Sequence, residues 1–182
     1  MIKGIKSLMK TFCLKLKFKN DITIKPTRGL CYKSEISVLN GEGKRGKIVL
    51  GKNFHVRDYT RIVAWGGEIN IGDYTSINAH SACISLNKIT IGNNCSIGPG
   101  VYIYDHDHAF NENGKIPGEF KSSEIKIGNN VWIAAGVIIL RGSVIGNNVV
   151  IGAGCIVQGN IPDNMLVTSK RENNMIKLEK RN

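Results

Sequence analysis

No apolar run in this sequence reaches the roughly 18 residues that a membrane-spanning helix needs. The start of the chain also lacks the uninterrupted apolar stretch and small-residue cleavage site of a secretory signal. Both absences lead us to expect a cytoplasmic protein. Paired cysteines are missing too: Cys13, Cys31, Cys83, Cys95 and Cys155 are odd in number and show no CxxC or CxxxxC spacing. Neither a disulfide framework nor a structural zinc site is therefore expected, and the five are read as small buried hydrophobes. Aromatics make up only 7% of the chain and do not interleave with its basic residues. A net charge of +11 thus comes without a base-stacking platform, and nucleic acid is not an expected partner.

Acidic residues are absent from positions 1–19, which carry six lysines, while residues 170–182 hold five basic residues against Glu172 and Glu179. The two ends therefore contribute +6 and +3 of the +11, and the body between them is nearly neutral. With 182 residues, 42% apolar and 21% charged, the composition is that of one soluble domain. In the first segment Ile2, Ile5, Leu8, Met9, Phe12 and Leu16 recur at three- and four-residue spacing, which predicts an amphipathic helix with a lysine-rich opposite face. Two readings of it stay open: a helix packed on the domain, or a peripheral membrane contact through residues 1–19 near a lipid-linked substrate. We divide the chain into a basic segment 1–20, a body 21–167 and a basic tail 168–182.

The body keeps a six-residue beat. Its aliphatic positions are Leu50, Val56 and Ile62; Ile71, Ile77 and Cys83; Ile91, Ile97 and Ile103; then Ile127, Ile133, Ile139, Ile145, Ile151 and Val157, with a step of six inside each group. A hexapeptide period predicts an all-β chain wound as a parallel β-helix, three hexads to a triangular coil, each giving a short strand and one inward side chain. "IGNN" occurs at 91–94, 127–130 and 145–148. Glycine and asparagine tolerate positive φ at low cost, which suits a chain that must turn every six residues. A sandwich would space its strands at roughly 8–12 residues without strict phase.

The runs "ITIGNNCSIGPG" and "IKIGNNVWIAAGVIILRGSVIGNNVVIGAGCIVQGNIPDNMLV" resemble the hexapeptide-repeat acyltransferases, in the branch of maltose and galactoside O-acetyltransferases and the sugar O-acetyltransferases of capsule and lipopolysaccharide clusters. The resemblance covers residues 48–167. It implies a left-handed parallel β-helix, a homotrimer, and acyl-CoA bound between neighbouring subunits. It also implies an acetyl-CoA-dependent O-acetyltransferase acting on a sugar hydroxyl. N-acetylation of an aminosugar nucleotide and a non-catalytic trimeric scaffold are the alternatives.

The beat stops once at length. From Ile103 to Ile127 the step is 24 residues, so about 18 extra residues leave the prism in a loop, 104–124, that opens with "YDHDH". Long excursions from a rigid scaffold are where functional side chains tend to sit. A sugar hydroxyl has a pKa far above 7, and imidazole is suited to take its proton as it attacks a thioester. In the resembled enzymes the loop histidine lies 24 residues before the tryptophan of "NNVW", the relation that His108 has to Trp132; His106 lies 26 before it. His108 is therefore the candidate base. Asn78 stands 30 residues before His108, as the catalytic asparagine does in that branch, and is carried over as a substrate or oxyanion partner. Asp105, Asp107 and His106 are candidates to orient the imidazole or contact the sugar.

On the donor side the resemblance implies that Trp132 flanks the pantetheine arm and that Ala135 and Ala153 let it lie close to backbone amides. The chain has Gln158 and Gly159 where many relatives have Thr-Lys, and "TSKRENNMIKLEKRN" where they have a segment like "GNPAKVIR". Lys170 and Arg171 are the candidate replacements as phosphate partners. A zinc reading, by likeness to the γ-type carbonic anhydrases, would draw on His80, His106 and His108. The spacing does not match that family, and no metal is expected.

Overall fold

In the computed structural model, which describes residues 2–27 and 29–169, the body is a triangular prism of three seven-stranded sheets. Face 1 runs from the strand Ile22–Ile24 to Asn160–Ile161, and face 2 from Gly29–Leu30 to Leu166–Val167. Face 3 begins at Glu35–Gly41, carries the short antiparallel strand Lys44–Arg45 at its outer edge, and ends at Ile156–Val157. The coil-to-coil ladders are parallel. Each strand pairs with the one a coil later, because successive coils repeat the same three short strands.

The inward column of face 1 is Ile24, Leu50, Ile71, Ile91, Ile127, Ile145 and Ile161, each in register with the next. Columns built on Val56, Ile77, Ile97, Ile133 and Ile151, and on Ile62, Cys83, Ile103, Ile139 and Val157, fill the other two faces, and none of these side chains is more than 3% exposed. Burying each such aliphatic is worth about 1.5–3 kcal/mol, so the columns are the main source of stability. A complete earlier coil, with Ile24, Leu30 and Ile36 inward, precedes the first one read from the sequence. The interval from Ile36 to Leu50 is 14 residues because the strand Glu35–Gly41 continues into the turn before Lys44–Arg45, and this hid the phase.

The vertex between faces 1 and 2 shows what "IGNN" does. The glycine is not in the left-handed region; a Cβ on Gly92 or Gly128 would lie 2.5 or 2.6 Å from the carbonyl oxygen of Gly128 or Gly146 in the next coil. The first asparagine accepts the backbone N–H one coil earlier: Asp73 N–H donates to Asn93 Oδ1 (2.7 Å), Asn93 to Asn129 (2.8 Å) and Asn129 to Asn147 (2.9 Å). Positive φ belongs to the second asparagine, 55° at each of Asn94, Asn130 and Asn148. The sequence expectation that glycine and asparagine both supply the turn is thus corrected for glycine at this vertex: glycine permits coils to stack, and asparagine turns the corner.

A helix, Ile2–Phe18, covers the open first-coil end. Leu14 and Phe18 are buried in the mouth of the prism. The buried Ser7 hydroxyl accepts Leu30 N–H (3.0 Å). Lys10 Nζ donates to the carbonyl oxygens of Cys31 (2.7 Å) and Ser34 and to Ser34 Oγ (2.7 Å). Burial lowers the Lys10 pKa, with the charge of Cys31 opposing. The helix so satisfies backbone groups that an uncovered edge would leave open.

Candidate active site

The excursion after Tyr104 is an antiparallel hairpin of His106–Asn111 and Gly114–Ser122, leaving the prism at the vertex between faces 3 and 1. Its foot is Asp105, which has no exposed surface. The carboxylate reaches down one coil to the equivalent corner, accepting Leu86 N–H on Oδ1 (2.8 Å) and Ser85 O–H and Asn87 N–H on Oδ2 (2.7 and 2.9 Å). His106 Nδ1 is the fourth partner, 2.9 Å from Oδ1. Burial alone would push this carboxyl up, but the His106 contact together with Leu86, Ser85 and Asn87 outweighs it and holds the pKa below the usual carboxylate range. With Asp105 ionised, Nδ1–H of His106 is the donor in this contact.

An aromatic box fixes the His106 ring. Trp65, Tyr104 and Phe120 meet it edge-on, at centroid distances of 6.0, 6.2 and 5.8 Å. His108, two residues along the strand, is exposed and lies against the same Phe120 at a centroid distance of 4.8 Å, in register opposite it across the hairpin. Asp107 is exposed and pairs with Arg141 Nε at 2.7 Å. The expected role of Asp105 is corrected here: it is closed to any sugar and orients His106 rather than His108, while Asp107 stays exposed beside Arg141.

The donor candidates sit elsewhere on the prism. Trp132 is 55% exposed on face 2 and lines a shallow pocket of about 290 Å³ with Asn94, Ser96, Asn130 and Val131. The vertex between faces 2 and 3 carries Asn78, Ala135 and Ala153, all exposed. The last two stack directly, Gly154 N–H donating to Ala135 C=O at 2.9 Å. The positive-φ position of this vertex changes character along the axis. Tyr59 and His80 occupy it in the early coils, their rings stacked 5.2 Å apart, and Gly100, Gly136 and Gly154 in the later ones. The result is a bare backbone strip above a ring shelf. Asn78 Oδ1 accepts Ala79 N–H (2.8 Å). Gln158 is exposed at the vertex between faces 3 and 1, on the hairpin side. Lys170 and Arg171 lie outside the described residues.

Face 2 is opposite the vertex from which the hairpin leaves. Within one chain, Trp132 and the hairpin imidazoles are thus on opposite sides of the prism, and a face of about five residues at ~3.3 Å each separates Asn78 from the hairpin. His80 is likewise at a different vertex from His106 and His108. Sequence reasoning missed Trp65, Ser85, Phe120 and Arg141. All four belong to other coils or to the other strand of the hairpin, so only the register brings them to the site.

Residues 124–159 match the family of bacterial transferase hexapeptide repeats (six repeats). The chain is 33% identical over 132 residues to WbbJ of Escherichia coli strain K12, assigned to lipopolysaccharide biosynthesis O-acetyl transfer, covering 67% of each chain. Among solved structures it is similar to a maltose O-acetyltransferase from Clostridium difficile 630, at 38% identity and TM-score 0.60, covering 64% of this chain and 62% of that one. A hexapeptide-repeat acetyltransferase of Vibrio cholerae O1 biovar eltor, solved with acetyl coenzyme A, matches at 30% identity and TM-score 0.59, over 64% of this chain and 63% of that one.

Proposed function

Because the chain belongs to the hexapeptide-repeat acyltransferases, whose fold is the left-handed parallel β-helix, we propose that it moves an acetyl group from acetyl-CoA to a sugar hydroxyl of a surface polysaccharide or its precursor. The observation that carries the reading is the hairpin: the long interruption of the coil stack delivers an exposed imidazole, His108, beside a scaffold whose opposite face holds the exposed Trp132. Because those groups lie on opposite sides of one prism, the site needs a neighbour. A homotrimer in which the hairpin of one subunit closes over face 2 of the next supplies it.

Neutral His108 takes the proton of the acceptor hydroxyl as the oxygen attacks the thioester carbonyl, and the CoA thiolate leaves as the tetrahedral intermediate collapses. Transfer is direct, within a ternary complex, with no acyl-enzyme. Asn78 supplies an amide donor to the developing oxyanion or the acceptor, and Trp132 flanks the pantetheine arm. Ala135 and Ala153 carry side chains too small to keep the donor from the backbone strip. A second reading, in which His106 is the base, is favoured by its contact with Asp105, since a carboxylate behind an imidazole fixes its tautomer.

The test is acceptor-dependent release of free CoA from acetyl-CoA across a panel of sugars and aminosugar nucleotides. A product whose acetyl group is removed by mild alkali supports O-transfer. An alkali-stable product points to N-acetylation, and no acceptor-dependent release on any of them overturns the enzymatic reading in favour of a scaffold.

A further inference from the structure

The N-terminal helix faces the wrong way for a helix that only packs. Its domain side consists of Ser7, Leu14 and Phe18, with Lys10 turned in to the first-coil carbonyls. The predicted apolar stripe is on the far side: Ile5, Leu8, Met9, Phe12 and Leu16 are 54%, 54%, 63%, 64% and 60% exposed. A single exposed leucine is ordinary, but five large apolar side chains at helical spacing form a continuous strip. The packed-helix reading of the sequence thus describes one side of the helix, and the apolar stripe is left exposed on the other.

We propose that this strip docks the protein on an anionic lipid surface, the five side chains entering the boundary between headgroups and acyl chains. Charge selects this occupant. Residues 1–19 contain no acid, and Lys6, Lys15, Lys17 and Lys19 are exposed along the helix and at its end. Apposed helices from a second copy would set these lysines against one another with nothing to neutralise them, whereas anionic headgroups complement them. Lys6 also lines, with Lys33, His55, Arg57 and Asp58, an open depression of about 480 Å³ beside the helix, so the cationic surface continues onto the body. Position adds to this. The helix caps the first-coil end of the prism, so an assembly joined along the prism faces leaves the strip uncovered and presents every copy in one plane. The inference stands apart from the chemistry of the hairpin.

Flotation of the full chain with vesicles decides it. With phosphatidylcholine vesicles containing about 30% phosphatidylglycerol, at about 0.1 M salt, the protein should float, and it should not float with pure phosphatidylcholine. Leu8→Ser/Phe12→Ser should abolish flotation, and Lys15→Glu/Lys17→Glu should weaken it about tenfold or more. Both variants should sediment like the parent, since none of the four side chains is buried. Absence of flotation with the anionic vesicles overturns the proposal. So does a change of oligomeric state in Leu8→Ser/Phe12→Ser, which would assign the strip to a second copy.

Discussion

Oδ1 of Asp105 lies 2.9 Å from Nδ1 of His106, and the carboxylate has no exposed surface. The same oxygen takes Leu86 N–H, and its twin takes Ser85 and Asn87, so one side chain joins the hairpin to the coil beneath it. The Asp105 carbonyl also accepts Ser123 N–H at 2.9 Å, closing the foot of the hairpin. The loop is held to the scaffold by a fully satisfied buried carboxylate rather than by apolar packing alone, and this fixes where both histidines stand.

Asp105→Asn should therefore destabilise the protein by about 2–4 kcal/mol, because one amide nitrogen would face donors at an otherwise closed site. The pH dependence follows from the direction of the shift. The folded carboxyl titrates below its unfolded value near ~3.9, so the unfolded chain binds the proton more readily. The contribution is complete above about pH 5 and is lost as pH falls through the folded pKa. Thermal unfolding followed from pH 7 to pH 3 should show an acid loss in the parent that is smaller in Asp105→Asn. An equal loss would mean that other carboxylates dominate.

The two histidines should separate by what they change. Under the proposed chemistry His108→Ala loses about 10²-fold or more in kcat with little effect on stability, since the ring is exposed and lies against Phe120. His106→Ala removes a partner of Asp105 and the centre of the aromatic box. It should lower Tm, with a smaller effect on kcat at a temperature where it stays folded. Steady-state rates beside melting curves give the ranking, and the reverse order in kcat would move the base to His106.

The columns were legible because a prism one side chain wide takes apolar side chains, nearly all aliphatic, at every sixth position, and Ile127 to Val157 repeat without interruption. The first coil was not, since the 14 residues between Ile36 and Leu50 break the phase although Ile24, Leu30 and Ile36 keep the step of six among themselves. In the site, the hairpin showed as a gap in the beat. Which aspartate turns inward did not: Asp105 and Asp107 are identical in type and two residues apart, and only the corner of the coil below, Ser85 to Asn87, distinguishes them. The orientation of the N-terminal helix was hidden for a similar reason, because its periodicity marks an apolar stripe without saying that Ser7, Leu14 and Phe18 face the prism.

Stacking and turning glycines should respond differently to a methyl group. Gly128→Ala would bring Cβ to 2.6 Å from Gly146 O, a backbone atom that cannot swing aside, and should cost about 3 kcal/mol or more. Gly136→Ala has φ +67° with nothing within 4 Å of the new atom and should cost about 1–2 kcal/mol, the penalty of the left-handed region. Denaturant midpoints of the two variants test the order, and equal costs would remove close coil stacking as the reason for glycine in "IGNN".

The proposed division of the site between subunits makes a prediction that a site within one chain cannot meet. His108→Ala and Trp132→Ala alter opposite sides of the prism, the first the proposed base and the second the proposed donor groove. If a hairpin from one subunit works on face 2 of the next, any mixed cyclic trimer contains one junction where an intact His108 meets an intact Trp132, whichever subunit is in the majority. Random exchange of equal amounts leaves about three quarters of trimers mixed, each with one of three sites restored. Activity should thus recover to about a quarter of the parent when the variants are unfolded and refolded together, measured at acetyl-CoA well below the KM of Trp132→Ala. Variants refolded separately and then combined control for simple addition. Co-refolded activity no greater than that control would place base and donor groove in the same chain, and with it remove the reason for requiring a trimer.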